Sequence, residues 1–318
     1  MKSIRIGSRD SKLAIIQSQL VIAAIKEYDP GIGIELVTMK TTGDRILDKT
    51  LDKIGGKGLF VKELDQALYN NEVDITVHSY KDMPLEENPE LPVGALSHRE
   101  DPRDVLILPM NSGGQESKNP INSEATVCFE NILKQYRQQD ESVPPIGSSS
   151  LRRQIQLREL FSGCRTAPIR GNVQTRLRKL DDGEFSAIVL AAAGIKRLDL
   201  EGRISRYFST DEILPAASQG IIAVQGRAGE DFEYLRLFRS EEALGISLAE
   251  RTFVKALDGG CSAPIAAYAI IDGNDILLKG LYCNEATGEV RRDSVTGKRA
   301  EARELGLRLA DIIGRIKS

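Results

Sequence analysis

The sequence predicts an α/β protein of three domains: two ligand-binding lobes of similar make-up, then a small α+β domain at the C-terminus. Three observations lead there. Short β-branched runs alternate with amphipathic helical stretches twice over, the order of parallel βαβ units. The second alternation starts after a charged, proline-bearing junction, Arg99-Glu100-Asp101-Pro102-Arg103-Asp104, which reads as a hinge or crossing. The tail holds instead a helix, three strand-like runs and a last helix in succession. A chain of 318 residues is also too long for one average domain.

In order, Ser3–Ser8 is a strand ending at Gly7-Ser8-Arg9. Asp10 or Ser11 caps the next helix, whose apolar positions Leu13, Ile16, Leu20 and Ala23 are expected on the buried face. Residues 33–40 form a second strand. Thr41-Thr42-Gly43-Asp44 and Lys53-Ile54-Gly55-Gly56-Lys57-Gly58 bracket a polar, glycine-rich loop. It lacks the G-x-x-x-x-G-K-[ST] order of a phosphate-binding P-loop and reads as a lysine-bearing lid or a plain connection. Phe60–Asn70 is helical, with Leu64 and Leu68 inward. Val73–Val77 is a buried-type strand that runs into His78-Ser79-Tyr80-Lys81-Asp82-Met83-Pro84. Ligands of open α/β sheets lie beyond the carboxyl ends of strands, so Lys81 and Asp82 stand at a ligand position. Asp82 is there a candidate general acid or base; a turn-capping aspartate beside a surface lysine is the plainer alternative.

Past the junction, 105–108 is a strand. Residues 109–145 are rich in Ser, Asn, Gln and Pro and read as a partly disordered insertion with one helix at Phe129–Tyr136. Strand, helix and strand then recur at Ala167–Ile169, Val173–Leu180 and Ala187–Leu190. Ala191–Arg197 reads as a strand end with small residues, again at a ligand position. After the loop Leu214–Gly220, the strand Ile221–Gln225 is expected to return to the first sheet. Glu241–Leu257 is a helix ending at Asp258-Gly259-Gly260-Cys261-Ser262-Ala263-Pro264. The tail strands are Ile265–Ile271, Ile276–Leu281 and Glu289–Val295, before a helix over Lys298–Ile316.

The chemistry concentrates in residues 147–179. From Leu151 this stretch holds eight Lys or Arg and one acid, Glu159, in a chain of net charge −3 and pI near 5.7. Gly147-Ser148-Ser149-Ser150 opens a helix and aims backbone N–H groups and hydroxyls at one point. Arg152 and Arg153 follow in the first turn, where the helix dipole disfavours cations; their presence makes sense if an anion sits between them. Arg170-Gly171-Asn172, Arg176 and Arg178 form a second basic group, suited to two-pronged pairing with carboxylate or phosphate. Nucleic acid is a poor partner for an acidic chain with no Trp and 5% aromatics. A two-lobed anion-binding module without chemistry would use the same arginines.

Cysteine and histidine usage narrows the chemistry further. The four cysteines, Cys128, Cys164, Cys261 and Cys283, have no zinc-site spacing, and only two histidines exist, so neither a metal centre nor a structural disulfide is expected. No apolar run approaches membrane-spanning length, which predicts a soluble cytoplasmic protein, a removed transit peptide aside. Cys261 follows a helix C-terminus, where the dipole does not activate a thiol. It reads as a buried free cysteine or as an exposed thiol used once, as an attachment point.

Eight blocks in order, IGSRDSKLA, GGKGLFVKELDQAL, VHSYKDMP, REDPRD, GSSSLRRQ, RGNVQTRLRKLD, VLAAAGIKRL and GGCSAPI, resemble the porphobilinogen deaminase (hydroxymethylbilane synthase) family across nearly the whole chain. The resemblance implies three α/β domains, the first two like the lobes of type II periplasmic binding proteins. The implied bounds are residues 1–101 with 220–239, residues 103–216, and residues 242–318. It implies a transferase of heme (porphyrin) biosynthesis that joins four porphobilinogens head to tail into a linear tetrapyrrole, releasing ammonia at each step. The chain would grow on a dipyrromethane cofactor held by a thioether to Cys261. Asp82 would be the acid and base near the pyrrole nitrogens and the departing amine. Arg9, Ser11, Ser150, Arg152, Arg153, Arg170 and Arg176 would hold acetate and propionate groups, with Lys81 and Arg197 further along the cleft. Lys53, Lys57 and Phe60 would cover it. The implied protein is a monomer with no nucleic-acid or membrane partner. Departures from the family pattern are Ser148 for Thr, Ala217-Ser218 for Val-Gly, Ala266 for Gly, and the long 109–145 segment; none removes a charged cleft residue.

Overall fold

The computed structural model describes residues 3–41, 61–110, 123–259 and 263–314. Lobe one begins with β1 (Ser3–Arg9), α1 (Lys12–Tyr28), β2 (Gly33–Met39), α2 (Lys62–Tyr69), β3 (Ile75–Ser79) and β4 (Val93–Leu96). The chain crosses at residues 99–103 into lobe two: β5 (Asp104–Ile107), α3 (Ser123–Arg137), β6 (Ile146–Gly147), α4 (Leu151–Leu160), β7 (Thr166–Ala167), α5 (Val173–Asp181), β8 (Ala187–Ala191), α6 (Ala192–Arg197) and β9 (Arg206–Tyr207). It returns to lay β10 (Ile222–Gly226) into the first sheet, then continues as α7 (Glu241–Ala256), β11 (Ile265–Asp272), β12 (Asp275–Cys283), β13 (Val290–Lys298) and α8 (Ala302–Gly314).

The two lobes share one plan. The first sheet has the order β2-β1-β3-β10-β4, and the second β7-β6-β8-β5-β9. In each, four strands point the same way and the strand supplied by a crossing lies antiparallel between two of them, β10 between β3 and β4, β5 between β8 and β9. Each lobe therefore contains a strand from beyond its own crossing, which ties both connections to both sheets. The carboxyl ends of β1, β3, β6 and β7 lead into the Arg9, Asp82, Ser150 and Arg170 turns, the position at which such sheets bind ligands. The tail is an antiparallel meander, β11-β12-β13, packed on α7 and α8. Its core, with Phe253, Leu278 and Leu309, continues into Met83, Leu96 and Ile221 of lobe one.

Several expectations are corrected. The buried stripe of α1 is Ala14, Gln17, Ser18, Val21 and Ile25, while Leu20 is 45% exposed. Gln17 goes inside because its Nε2 donates to Ser79 Oγ at 2.9 Å, which satisfies a polar group that periodicity alone puts outside. The helix expected at Phe129–Tyr136 extends over Ser123–Arg137, and Phe129, Leu133 and Tyr136, spaced four and three apart, pack into the core of lobe two. That helix is a docked element of the lobe. Residues Ala192–Arg197 are a helix, not a strand end. The strand β4 was not legible in the sequence at all.

Candidate active site

Each charged side chain reaches the cleft from a local signal. Arg9 ends β1, and Ser11 caps α1 by accepting from Ala14 N at 3.3 Å. Lys81 and Asp82 lie in a 3₁₀ turn directly after β3. Beneath it a small cavity is lined by Arg9, Gln17, His78, Ser79 and Asp82. His78 is buried and bonds Thr76 Oγ1 at 2.8 Å; burial, with Arg9 nearby, pushes its imidazole down to about 4, so it is neutral at pH 7.

From lobe two, Ser150 stands at the N-cap of α4, but its hydroxyl makes no capping bond. Its backbone N donates to Ser148 Oγ at 3.3 Å. Ser149 Oγ donates to Ile169 O at 2.6 Å and fastens this turn to the one that carries Arg170. Gly171 has φ +109°, and a Cβ there would meet Thr175 Cγ2 at 2.6 Å. Asn172 then caps α5 by accepting from Thr175 N at 2.9 Å, which aims Arg170 and Arg176 from one tight turn. Arg178 is exposed on α5.

The anion required between Arg152 and Arg153 is Asp104, the first residue of β5. Arg152 Nη1 donates to Asp104 Oδ2 at 2.8 Å and to Leu214 O at 2.7 Å. Arg153 donates Nη2 and Nε to Asp104 Oδ1 at 2.7 and 3.1 Å, and Nη1 to Val189 O at 3.1 Å. All three residues are buried, Asp104 completely. Burial alone would raise the Asp104 carboxyl, but the two guanidiniums outweigh it and hold the group well below the usual carboxylate range. A depressed native pKa contributes stability that is fully present above the ordinary aspartate value of about 4 and is lost as pH falls below it. Wild-type denaturation midpoints are therefore expected to drop between pH 6 and pH 3 more steeply than those of Asp104→Asn; parallel pH dependences would refute the assignment.

The two lobes bring one set of charges together. Asp82, Arg153, Asp104 and Arg152 all act on Lys81, whose ammonium is pushed down to about 8 chiefly by burial. Burial, then Arg153 and Arg170, push the Arg176 guanidinium down to about 10, against the pull of Asp82. Arg176 donates Nε to Gly171 O at 2.8 Å. Six cations (Arg9, Lys81, Arg152, Arg153, Arg170 and Arg176) thus face two carboxylates, Asp82 and Asp104. Arg197 is placed differently. It donates Nη2 to Gly220 O at 2.6 Å, at the second crossing, and Glu100 is the charge that acts on it. Lys53, Lys57, Phe60 and Cys261 lie outside the described residues.

Sequence reasoning missed Asp104 and Gln219. In the sequence Asp104 reads as part of a charged hinge. The signal was present: two arginines in a helix's first turn demand an anion, and the chain supplies one at a strand start 48 residues earlier.

A cleft between two like-built lobes, lined by partly exposed cations in excess around one partly exposed carboxylate, defines an α/β protein suited to a polyanion, with a group able to move a proton beside it. The chain belongs to the porphobilinogen deaminase family. The family model "Porphobilinogen deaminase, dipyromethane cofactor binding domain" matches residues 4–234, and "Porphobilinogen deaminase, C-terminal domain" matches residues 245–314. The porphobilinogen deaminase of Ruminiclostridium josui is 70% identical over 309 residues, 97% of each chain. Those of Ruminiclostridium cellulolyticum and Acetivibrio thermocellus are 68% and 55% identical, covering 97% and 96% of this chain and the same shares of theirs. Among solved structures, the BenM effector-binding domain with its effector benzoate aligns over 76% of this chain and 90% of that one, at TM-score 0.40 and 15% identity, a likeness that carries no argument.

Proposed function

We propose that this chain joins four porphobilinogen molecules head to tail into hydroxymethylbilane, releasing ammonia at each step, on a dipyrromethane cofactor bound through a thioether to Cys261. One observation carries the reading: in a member of this family, six cations from both lobes converge, among the described residues, on a cleft with two carboxylates, Asp82 and Asp104. Each pyrrole unit bears two carboxylates, so a growing chain is a polyanion that such a surplus fits. The same surplus fits the cofactor. Lys81, Arg152, Arg153 and Arg176, with the hydroxyls of Ser11 and Ser150, would hold its acid side chains, and Arg9 and Arg170 those of the incoming substrate. When bound, the dipyrromethane supplies the pyrrole carbon on which the chain is extended.

The protein's own part is binding, orientation and one proton. Asp82 gives a proton to the departing amine, stabilises once ionised the positive charge left on the substrate, and takes back the proton that the ring carbon loses as the new C–C bond forms. Its place between cations from both lobes lets it stay close to charge that is moving. Arg152 and Arg153 are fixed by Asp104, so they meet a substrate carboxylate already oriented. Lys53, Lys57 and Phe60 are assigned to covering the cleft, and Arg197 to its far end beside the second crossing. The domain bounds that go with this reading are 1–101 with 220–239, 103–216, and 242–318. A monomeric, cytoplasmic enzyme completes the proposal.

The experiment is the intact mass of the purified, denatured protein. An excess of two porphobilinogen units less two ammonias is expected in the wild type and absent from Cys261→Ser. A wild-type protein that weighs as the bare chain, and still does so after incubation with porphobilinogen, would leave only an anion-binding module.

A further inference from the structure

Gln219 has no role in the reading above, yet it sits where the two lobes and both crossings meet. Its Nε2 donates to Pro102 O on the first crossing at 2.7 Å and to Asp104 Oδ1 of lobe two at 2.9 Å. Its Oε1 accepts from Lys81 Nζ of lobe one at 3.2 Å. The side chain is 1% exposed. The partners dictate the amide's orientation: a carbonyl and a carboxylate can only accept, and an ammonium can only donate. The backbone is held as tightly. Ser218 and Gly220 have φ of +60° and +94°, and a Cβ on Gly220 would meet Glu100 O at 2.3 Å.

We propose that Gln219 is a positioning residue that joins the Lys81 ammonium to the Asp104 carboxylate, and so holds Lys81 in the cleft as a cation in register with Arg152 and Arg153. The inference rests on the reading of Lys81 as a holder of substrate or cofactor carboxylates. Among the described residues, the charges facing Lys81 are Asp82 on its own turn, Asp104 on β5, and Arg152 and Arg153 on α4. The arginines and burial oppose its proton; the two carboxylates and the Gln219 carbonyl favour it. Without the amide, Lys81 loses a hydrogen-bond acceptor for its charged form, and its link to lobe two.

The test uses protein as purified, labelled with ¹³C at the lysine ε-carbon, with the Lys81 resonance assigned by its loss in Lys81→Arg. Gln219→Met keeps the length and volume but cannot bridge. It is expected to lower the pH at which Lys81 titrates by about one unit, as the loss of a hydrogen bond to a charged group predicts. The alkaline limb of kcat/KM should move down equally, and not at all when Lys81→Arg is also present. A folded Gln219→Met protein in which Lys81 titrates as in the wild type overturns the proposal. So does an alkaline shift that survives in the double variant. If the methionine protein does not fold, Gln219→Leu takes the same titration. Because the titration needs no turnover, it stays readable even if the protein proves not to consume porphobilinogen; that result would remove the proposed function and leave the bridge standing.

Discussion

Asp82→Asn is expected to slow porphobilinogen consumption by roughly 10²–10⁴-fold, the usual worth of a positioned general acid or base, and to leave the fold intact. Asp82 closes a 3₁₀ turn and is partly exposed, so its carboxylate is not part of any core. Asparagine keeps the shape and loses both the proton and the charge. The loss also bears on the neighbours, because Asp82 is the strongest anion acting on Lys81 and the one that opposes the arginines around Arg176. Asp82→Glu keeps the acid at a changed reach and should retain part of the rate. Ammonia release measured beside a thermal melt decides the matter. An Asn variant that melts like the wild type and turns over within about threefold of it would remove Asp82 from the mechanism.

Glu250→Ala is expected to destabilise the protein by about 3–5 kcal/mol, the cost of removing one partner from a buried ion pair. Glu250 lies on α7, is 0% exposed, and serves three chain segments. Its Oε2 accepts from Arg99 Nη2 at 2.6 Å, on the first crossing, and from Ser218 N at 2.7 Å, on the second. Its Oε1 accepts from Ala269 N of β11 at 2.6 Å. Removal strands a guanidinium and two backbone donors in the interior at once. The C-terminal domain thereby fastens both crossings through one carboxylate. Urea unfolding of the variant should show a lower midpoint with little change in slope. A loss below about 1 kcal/mol would mean that the three segments are held by apolar packing alone.

Local signals in the chain were enough for a good part of this protein. The Gly-Ser-Ser-Ser turn opening a helix and the basic Arg-Gly-Asn group are properties of neighbouring residues, and so are the Asp after a buried strand and the three-strand tail. Physical chemistry acts on them over a few ångströms, and they read the same in the chain as in the fold. The basic surplus in residues 151–179 of an acidic protein pointed to an anion, and the ordered blocks named the family.

Long-range pairing was not legible. Asp104 and Arg152 are 48 residues apart, and only the antiparallel insertion of β5 into the second sheet sets the carboxylate between two arginines. Gln17 and Ser79 are 62 apart, and their bond turns the face of α1 away from the one its leucines suggest. Gln219 reaches Lys81 over 138 residues and Asp104 over 115. The sequence by itself determined which charges the cleft carries, because residue type and local turn geometry set charge and aim. The tertiary structure alone decided which cations are already committed to an internal carboxylate, because that depends on strand order, and strand order is fixed by the burial of whole sheets rather than by any short stretch of chain.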